Sequence, residues 1–213
     1  MSTPPPYRME TERLVIRCYQ PADAPLLQAA VARSVEHLRP WMLWALGEPP
    51  DLAATVSRLR LFRGSFDLDQ DYVYGIFSRD ESELLGGTGL HTRRGPHALE
   101  IGYWVHVDHI NRGVATEVST ALTMVTLGYL RRDRCELRCA EGNVASRRIP
   151  EKLGYRHVGT LPRDLEDGQQ GFWDSMVWYL FRSEYDAWPH RNLPVTLRDA
   201  AGQLLSWPDD TDG

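Results

Sequence analysis

Ten residues near the middle of the chain, Asp108 to Glu117 (DHINRGVATE), leave an apolar run and enter a helical one through Gly113, with the small residues Ala115 and Thr116 just behind it. The first turn of a helix carries N–H groups with no carbonyl one turn back and a partial positive charge. Without a Cβ at Gly113, and with only a methyl group at Ala115, an anion such as a pyrophosphate can approach that backbone closely. Arg112 adds a charged donor. The segment has neither the Gly-Lys-Ser/Thr ending of a P-loop nor the three spaced glycines of a dinucleotide fingerprint, which directs the reading away from nucleotide hydrolysis and hydride transfer. Just upstream stand Glu100 and His106, two residue types able to take up a proton. Downstream stand Asn143 and Ser146, types that cap helices and also donate hydrogen bonds to ligands.

The elements that must hold these residues follow from hydrophobic period and turn chemistry. Residues 1–9, with Pro4, Pro5 and Pro6, read as a flexible lead-in. Arg13 to Cys18 reads as a first strand. Pro21 and Asp23 open a helix with Leu26, Leu27, Ala30 and Val31 on one face, and a second helix spans Asp51 to Phe66. Three strands in an antiparallel meander follow, Asp71 to Ser78, Glu83 to His91 and Ala98 to Val107. A helix from Gly113 to Arg131 leads to a strand at Cys135 to Ala140, and a short helix ends at Gly154. Strands at His157 to Leu161 and Phe172 to Leu180 flank a loop through Glu166 to Gly168. The strand, helix, strand passage from Ala98 to Ala140 predicts two parallel neighbours with a ligand crevice at the carboxyl end of the first. Alternation puts Glu100, Gly102, Trp104 and His106 on one face and Ile101, Tyr103 and Val105 on the other. Residues 10–186 form one domain, and 187–213 form a C-terminal extension with a hairpin within Val195 to Leu205.

Composition narrows the partners. A net charge of −5, from 24 basic and 29 acidic side chains, disfavours nucleic acid as the principal partner. No apolar run approaches the roughly 20 residues that span a bilayer. Cys18, Cys135 and Cys139 are an odd number behind a start without a secretory pattern, which suits a reducing cytoplasm. With no further Cys or His at zinc-ligand spacing, Cys135 and Cys139 read as strand residues and no metal site is expected.

Several blocks in fixed order resemble the GNAT superfamily of N-acetyltransferases, in particular its ribosomal-protein alanine and serine branch. They are Thr11 to Arg17 (TERLVIR) with Asp23, Leu38 to Trp44 (LRPWMLW), Glu100 to Trp104 (EIGYW), Arg112 to Glu117 (RGVATE), Asn143 to Ser146 (NVAS), Glu151 to Tyr155 (EKLGY) and Trp173 to Val177 (WDSMV). The resemblance implies an α/β (α+β) fold, a mixed, mostly antiparallel twisted sheet flanked by helices, around a central β-α-β unit that binds acetyl-CoA as co-substrate. It implies transfer of an acetyl group to a primary amine by direct attack in a ternary complex, the acceptor being a protein N-terminal amine or a small amine such as an antibiotic or amino acid. A non-catalytic acyl-CoA-binding module on the same fold, and a larger donor such as succinyl-CoA, are the alternatives. The implied cofactor contacts are Val105, Val107, Asn111, Arg112, Gly113, Val114, Ala115, Thr116, Asn143 and Ser146. The family pattern has Gln or Arg where Ile110 stands, so one side-chain contact is absent while the backbone donors remain. Glu100 is the implied base, with His106 and water as alternatives. Ser146 is the implied proton donor to the leaving thiolate, since Pro150 occupies the position of the tyrosine acid of many relatives. Asn143 either caps its helix or bonds the pantetheine arm, while Trp41, Trp44, Tyr103 and Trp173 would line the acceptor groove. The extension is expected to serve a homodimer.

Overall fold

The computed structural model describes residues 3–48, 50–168 and 171–208. The first two residues of the expected lead-in and the last five of the extension lie outside them. Among the described residues ten strands form one sheet, with α-helices on its faces. In chain order the elements are β1 (Arg8–Glu10), β2 (Leu14–Cys18), α1 (Ala24–Leu38), α2 (Leu52–Asp67), β3 (Tyr72–Ser78), β4 (Leu84–His91), β5 (Ala98–Val105), α3 (Val114–Thr123), β6 (Arg134–Ala140), α4 (Val144–Lys152), β7 (Arg156–Glu166), β8 (Phe172–Phe181), α5 (Arg182–Tyr185), β9 (Thr196–Arg198) and β10 (Leu204–Leu205). The strand order is β10-β9-β1-β2-β3-β4-β5-β6-β8-β7, antiparallel at each pairing except β5 with β6.

Local sequence explains most of these elements. In α1, Leu27, Ala30, Val31, Ser34, Val35 and Leu38 recur at helical spacing and are buried. Asp51 caps α2, its carboxylate accepting from the Ala54 N–H at 2.7 Å. The helix that starts at Val114 runs past Thr123 through π-helical turns over Met124–Tyr129, which keeps Val125 and Leu127 buried. The α1/α2 face of the sheet is packed with Val15, Tyr19, Leu59 and Phe77, and the opposite face with α3 and residues such as Ile101, Leu122 and Leu137.

Two expectations are corrected. The lead-in is not loose up to residue 9: Arg8–Glu10 is a strand held between β2 and β9, and Met9 is fully buried. A three-residue strand has too short a pattern to be read locally and exists because β9 arrives from the far end of the chain. Likewise β7 continues to Glu166, so the loop begins only at Asp167. The extension forms the β9–β10 hairpin, and Trp188 and Leu197 from it are core residues. Trp188 donates from Nε1 to the Leu153 carbonyl at 2.6 Å. Trp188→Ala therefore removes a large buried ring and orphans that carbonyl; a destabilisation of about 3–5 kcal/mol is expected in chemical denaturation.

Candidate active site

Strand β5 organises the site. It pairs with β4 along its whole length, from His91↔Glu100 to Gly86↔Val105, but with β6 only from Ala98↔Arg134 to Ile101↔Leu137. Beyond Ile101 the two parallel strands part. The Arg134 N–H donates to the His97 carbonyl, so alternate residues after His97 turn their peptide groups toward β6. Tyr103 and Val105 thus present backbone groups to the opening. Val107 differs from Val105, because its N–H is taken by the Ser34 hydroxyl at 3.1 Å.

On one side of this opening lies the turn into α3. Asn111 (φ 59°) and Gly113 (φ 81°) both adopt the left-handed conformation, which reverses the chain so that the N–H groups of Val114, Ala115 and Thr116 head the helix. Asn111 tolerates that conformation better than most residues and Gly113 does so without strain. Arg112 and Ile110 are exposed beside it. Glu117, in the first turn of α3, would repel an anion, but Arg13 forms an ion pair with it and Thr11 donates to it at 2.6 Å. Arg13 also donates to the Arg112 carbonyl at 3.1 Å. This neutralising pair, which sequence reasoning missed, leaves the turn a net site for negative charge.

At the mouth of the opening, the Ser146 hydroxyl lies 3.0 Å from the Tyr103 hydroxyl. Burial pushes the Tyr103 phenol up from its ordinary pKa, so it stays protonated and able to donate. Asn143 takes the first of its two expected roles: its side chain accepts from the Ser146 N–H at 3.0 Å and caps α4. Pro150 is buried within α4.

On the other side of the sheet is a cavity of about 870 Å³ between β4, β5 and the α1/α2 layer. Trp41, Trp44, Tyr103 and Ser146 line it, as does Trp104, which packs edge-on against Trp44 with centroids 5.9 Å apart. Trp173 stands behind Trp41 at 5.7 Å rather than on the cavity wall. The floor is made by glycines. A Cβ on Gly89 or Gly102 would meet the His91 ring, and one on Gly87 would meet the Trp104 Nε1 at 2.5 Å.

Glu100 faces this cavity as the alternation predicts, but in company the sequence did not reveal. Its two carboxylate oxygens are taken by Arg93 and Arg94. It stands beside Glu136 across the parallel pair, with Arg134 and Arg138 completing a charge lattice. Burial alone would raise the Glu100 pKa, yet the hydrogen bond and charge of Arg93, and then of Arg94, outweigh it and hold the carboxyl below the usual range. Such a carboxylate takes up a proton poorly. A group with a depressed folded pKa stabilises above its unfolded pKa and loses that contribution as pH falls through the folded value. Wild-type stability is therefore expected to decline on acidification below the ordinary glutamate pKa of about 4.3. Glu100→Gln should flatten that limb in thermal melts recorded across pH. His106 is not on the cavity wall: its Nδ1 accepts from the Asp108 N–H at 3.1 Å, and burial followed by the His109 charge lowers its pKa.

The three cysteines are free and buried. Among the described residues no group of three His, Cys, Asp or Glu side chains could hold a metal, and no helix is long and apolar enough to cross a membrane.

The split between the parallel strands thus has the turn into α3 on one side and the aromatic-lined cavity on the other. The chain is 27% identical over 183 residues to the putative ribosomal N-acetyltransferase YdaF of Bacillus subtilis, covering 82% of this chain and 94% of that one. Its fold is similar to that of Mycobacterium smegmatis RimJ in complex with CoA-disulfide (TM-score 0.75, 20% identity, 85% and 91% covered). It is also similar to RimL, a ribosomal L7/L12 alpha-N-protein acetyltransferase in complex with coenzyme A (TM-score 0.71, 16% identity, 80% and 95% covered). The model of the acetyltransferase (GNAT) domain, a family whose co-substrate is acetyl-CoA, matches residues 13–156, and the chain belongs to that family of acyltransferases.

Proposed function

We propose that the protein acetylates a primary amine at the end of a polypeptide chain, with acetyl-CoA bound across the β5/β6 split and the amine entering from the α1/α2 side. The observation that carries this reading is the parting of β5 from β6 beyond Ile101, which connects the turn at Gly113 to the aromatic cavity. The backbone at Asn111 to Thr116, with Arg112, holds the pyrophosphate, and the peptide groups of Tyr103 and Val105 orient the pantetheine arm and polarise the acyl carbonyl. The amine nitrogen attacks that carbonyl, the C–S bond breaks, and Ser146, backed by the protonated Tyr103, gives the thiolate its proton. Glu100 anchors Arg93 and Arg94 along the wall rather than taking the amine's proton. A flexible chain end fits the tryptophan-lined entrance, since Trp41 and Trp44 come from the link after α1. The names of YdaF and RimL support a protein acceptor.

A second reading is favoured by one observation: Arg58, Arg93, Arg94 and Arg138 all reach the same cavity, which suits a small amine that also carries an acidic group. A panel of peptides with free N-termini and of amino acids, followed by coenzyme A release, separates the two. Release with peptides alone supports the first, and release with amino acids alone overturns it. Saturable acetyl-CoA binding with no release from any amine would leave a binding module.

A further inference from the structure

The cavity holds a second proton-handling group outside the arginine lattice. His91, the last residue of β4, places Nδ1 2.9 Å from Asp71 Oδ2 and 3.1 Å from Oδ1. Asp71 precedes β3 and reaches across its end; both residues line the cavity. An ionised carboxylate only accepts, so Nδ1 carries the hydrogen and the neutral ring keeps its lone pair on Nε2. That nitrogen lies over the glycine floor, 2.8 Å from where Gly89 would carry a Cβ and 3.0 Å from where Gly102 would. Gly102 is the first residue of β5 past the last pairing with β6, and it precedes Tyr103, which binds Ser146. Among the described residues Nε2 makes no hydrogen bond. Glycine at position 89 leaves the ring the space a Cβ would occupy, and a Cβ at position 102 would press on Nε2.

We propose that His91 is the catalytic proton acceptor of the acetyl transfer and Asp71 its positioning residue. The inference rests on the amine-acetylation reading and extends it to a residue in none of the motif blocks. As the nitrogen lone pair forms the C–N bond and the C–S bond breaks, Nε2 takes one proton from that nitrogen. The resulting imidazolium is stabilised by Asp71 and later gives the proton to solvent. The thiolate receives its proton from Ser146, which is replenished from solvent, so one proton leaves nitrogen and one reaches sulfur. The charges around the ring are Asp71 at the start of β3, Glu100 with Arg93 and Arg94 on β5 and its preceding loop, Arg58 from α2, and Arg138 with Asp164 beyond the split. The acids nearest the ring are divided: Glu100 is spoken for by arginines, while Asp71 is left to hold the imidazole.

The test uses the full chain. Nitrogen NMR of labelled protein at mildly alkaline pH should show His91 as the Nδ1–H tautomer with a bare Nε2; an Nε2–H tautomer overturns the proposal whatever the acceptor proves to be. His91→Gln and His91→Asn should each lower kcat on any active peptide by about 100-fold or more and flatten the acidic limb of the kcat/KM profile. Acetyl-CoA affinity by calorimetry should stay within about twofold of wild type. His91→Asn can still donate to Asp71, so it controls for lost packing. Wild-type turnover that survives in both variants overturns the role of His91 alone, whereas a wild type that acetylates no amine overturns the underlying reading and this role with it.

Discussion

Gly113→Val is expected to abolish measurable acetyl-CoA binding while leaving the protein folded. Gly113 has φ 81° at the N-cap of α3, a conformation in which a β-branched side chain is a steric outlier. The left-handed conformation costs an ordinary L-residue about 1–2 kcal/mol. The space itself is not the obstacle, since a Cβ would meet only an Arg13 nitrogen at 3.5 Å. The strain is relieved by rotating the turn, which swings the N–H groups of Val114 to Thr116 out of convergence and shifts Arg112. An anion site built mainly from backbone donors has little to compensate with, since Arg112 moves with the turn and Ile110 offers no donor. A loss of affinity of at least about 100-fold in calorimetric titration is the expected result, with Tm lowered by only a few degrees. Binding within a few-fold of wild type would show that the cofactor phosphates lie elsewhere.

Ser146→Ala tests the other end of the opening. Its N–H, not its hydroxyl, satisfies the Asn143 cap, so α4 keeps its start in the variant. The hydroxyl touches Tyr103 at 3.0 Å, and its removal leaves the thiolate without an adjacent donor. A fall in kcat of about 100-fold is expected with little change in acetyl-CoA affinity, because a general acid acts in the transition state more than in the ground state. Tyr103→Phe should give a smaller fall, as Ser146 can still exchange its proton with solvent. If Ser146→Ala raised KM for the cofactor and left kcat intact, the residue would be a binding group only.

How much of this was legible in the chain depends on how local each cause is. The turn at Gly113 could be read directly because a glycine between an apolar run and a helical run states its own geometry, and alternation along β5 correctly put Glu100 and Trp104 on one face. The environment of Glu100 could not be read, since Arg94, Glu136 and Arg138 meet only after β6 has returned beside β5. For the same reason the 104-residue separation hid the pairing of Arg13 with Glu117, and β1 was missed because its partner β9 lies near the opposite terminus. His91 and Asp71 are 20 residues apart, at the open ends of a hairpin, and become neighbours only through the β3/β4 register. Pattern located the strands that carry the site; tertiary pairing decided which carboxylate meets arginines and which meets His91.

Isotope-labelled acetyl-CoA incubated with the purified protein and peptides bearing free N-termini, resolved by mass spectrometry, tests the central claim most directly. The account predicts one labelled acetyl group on the N-terminal nitrogen of an accepted peptide, with coenzyme A released in equal amount, and loss of both in Gly113→Val. Label recovered only as intact acetyl-CoA or free acetate across peptides and small amines alike would contradict it.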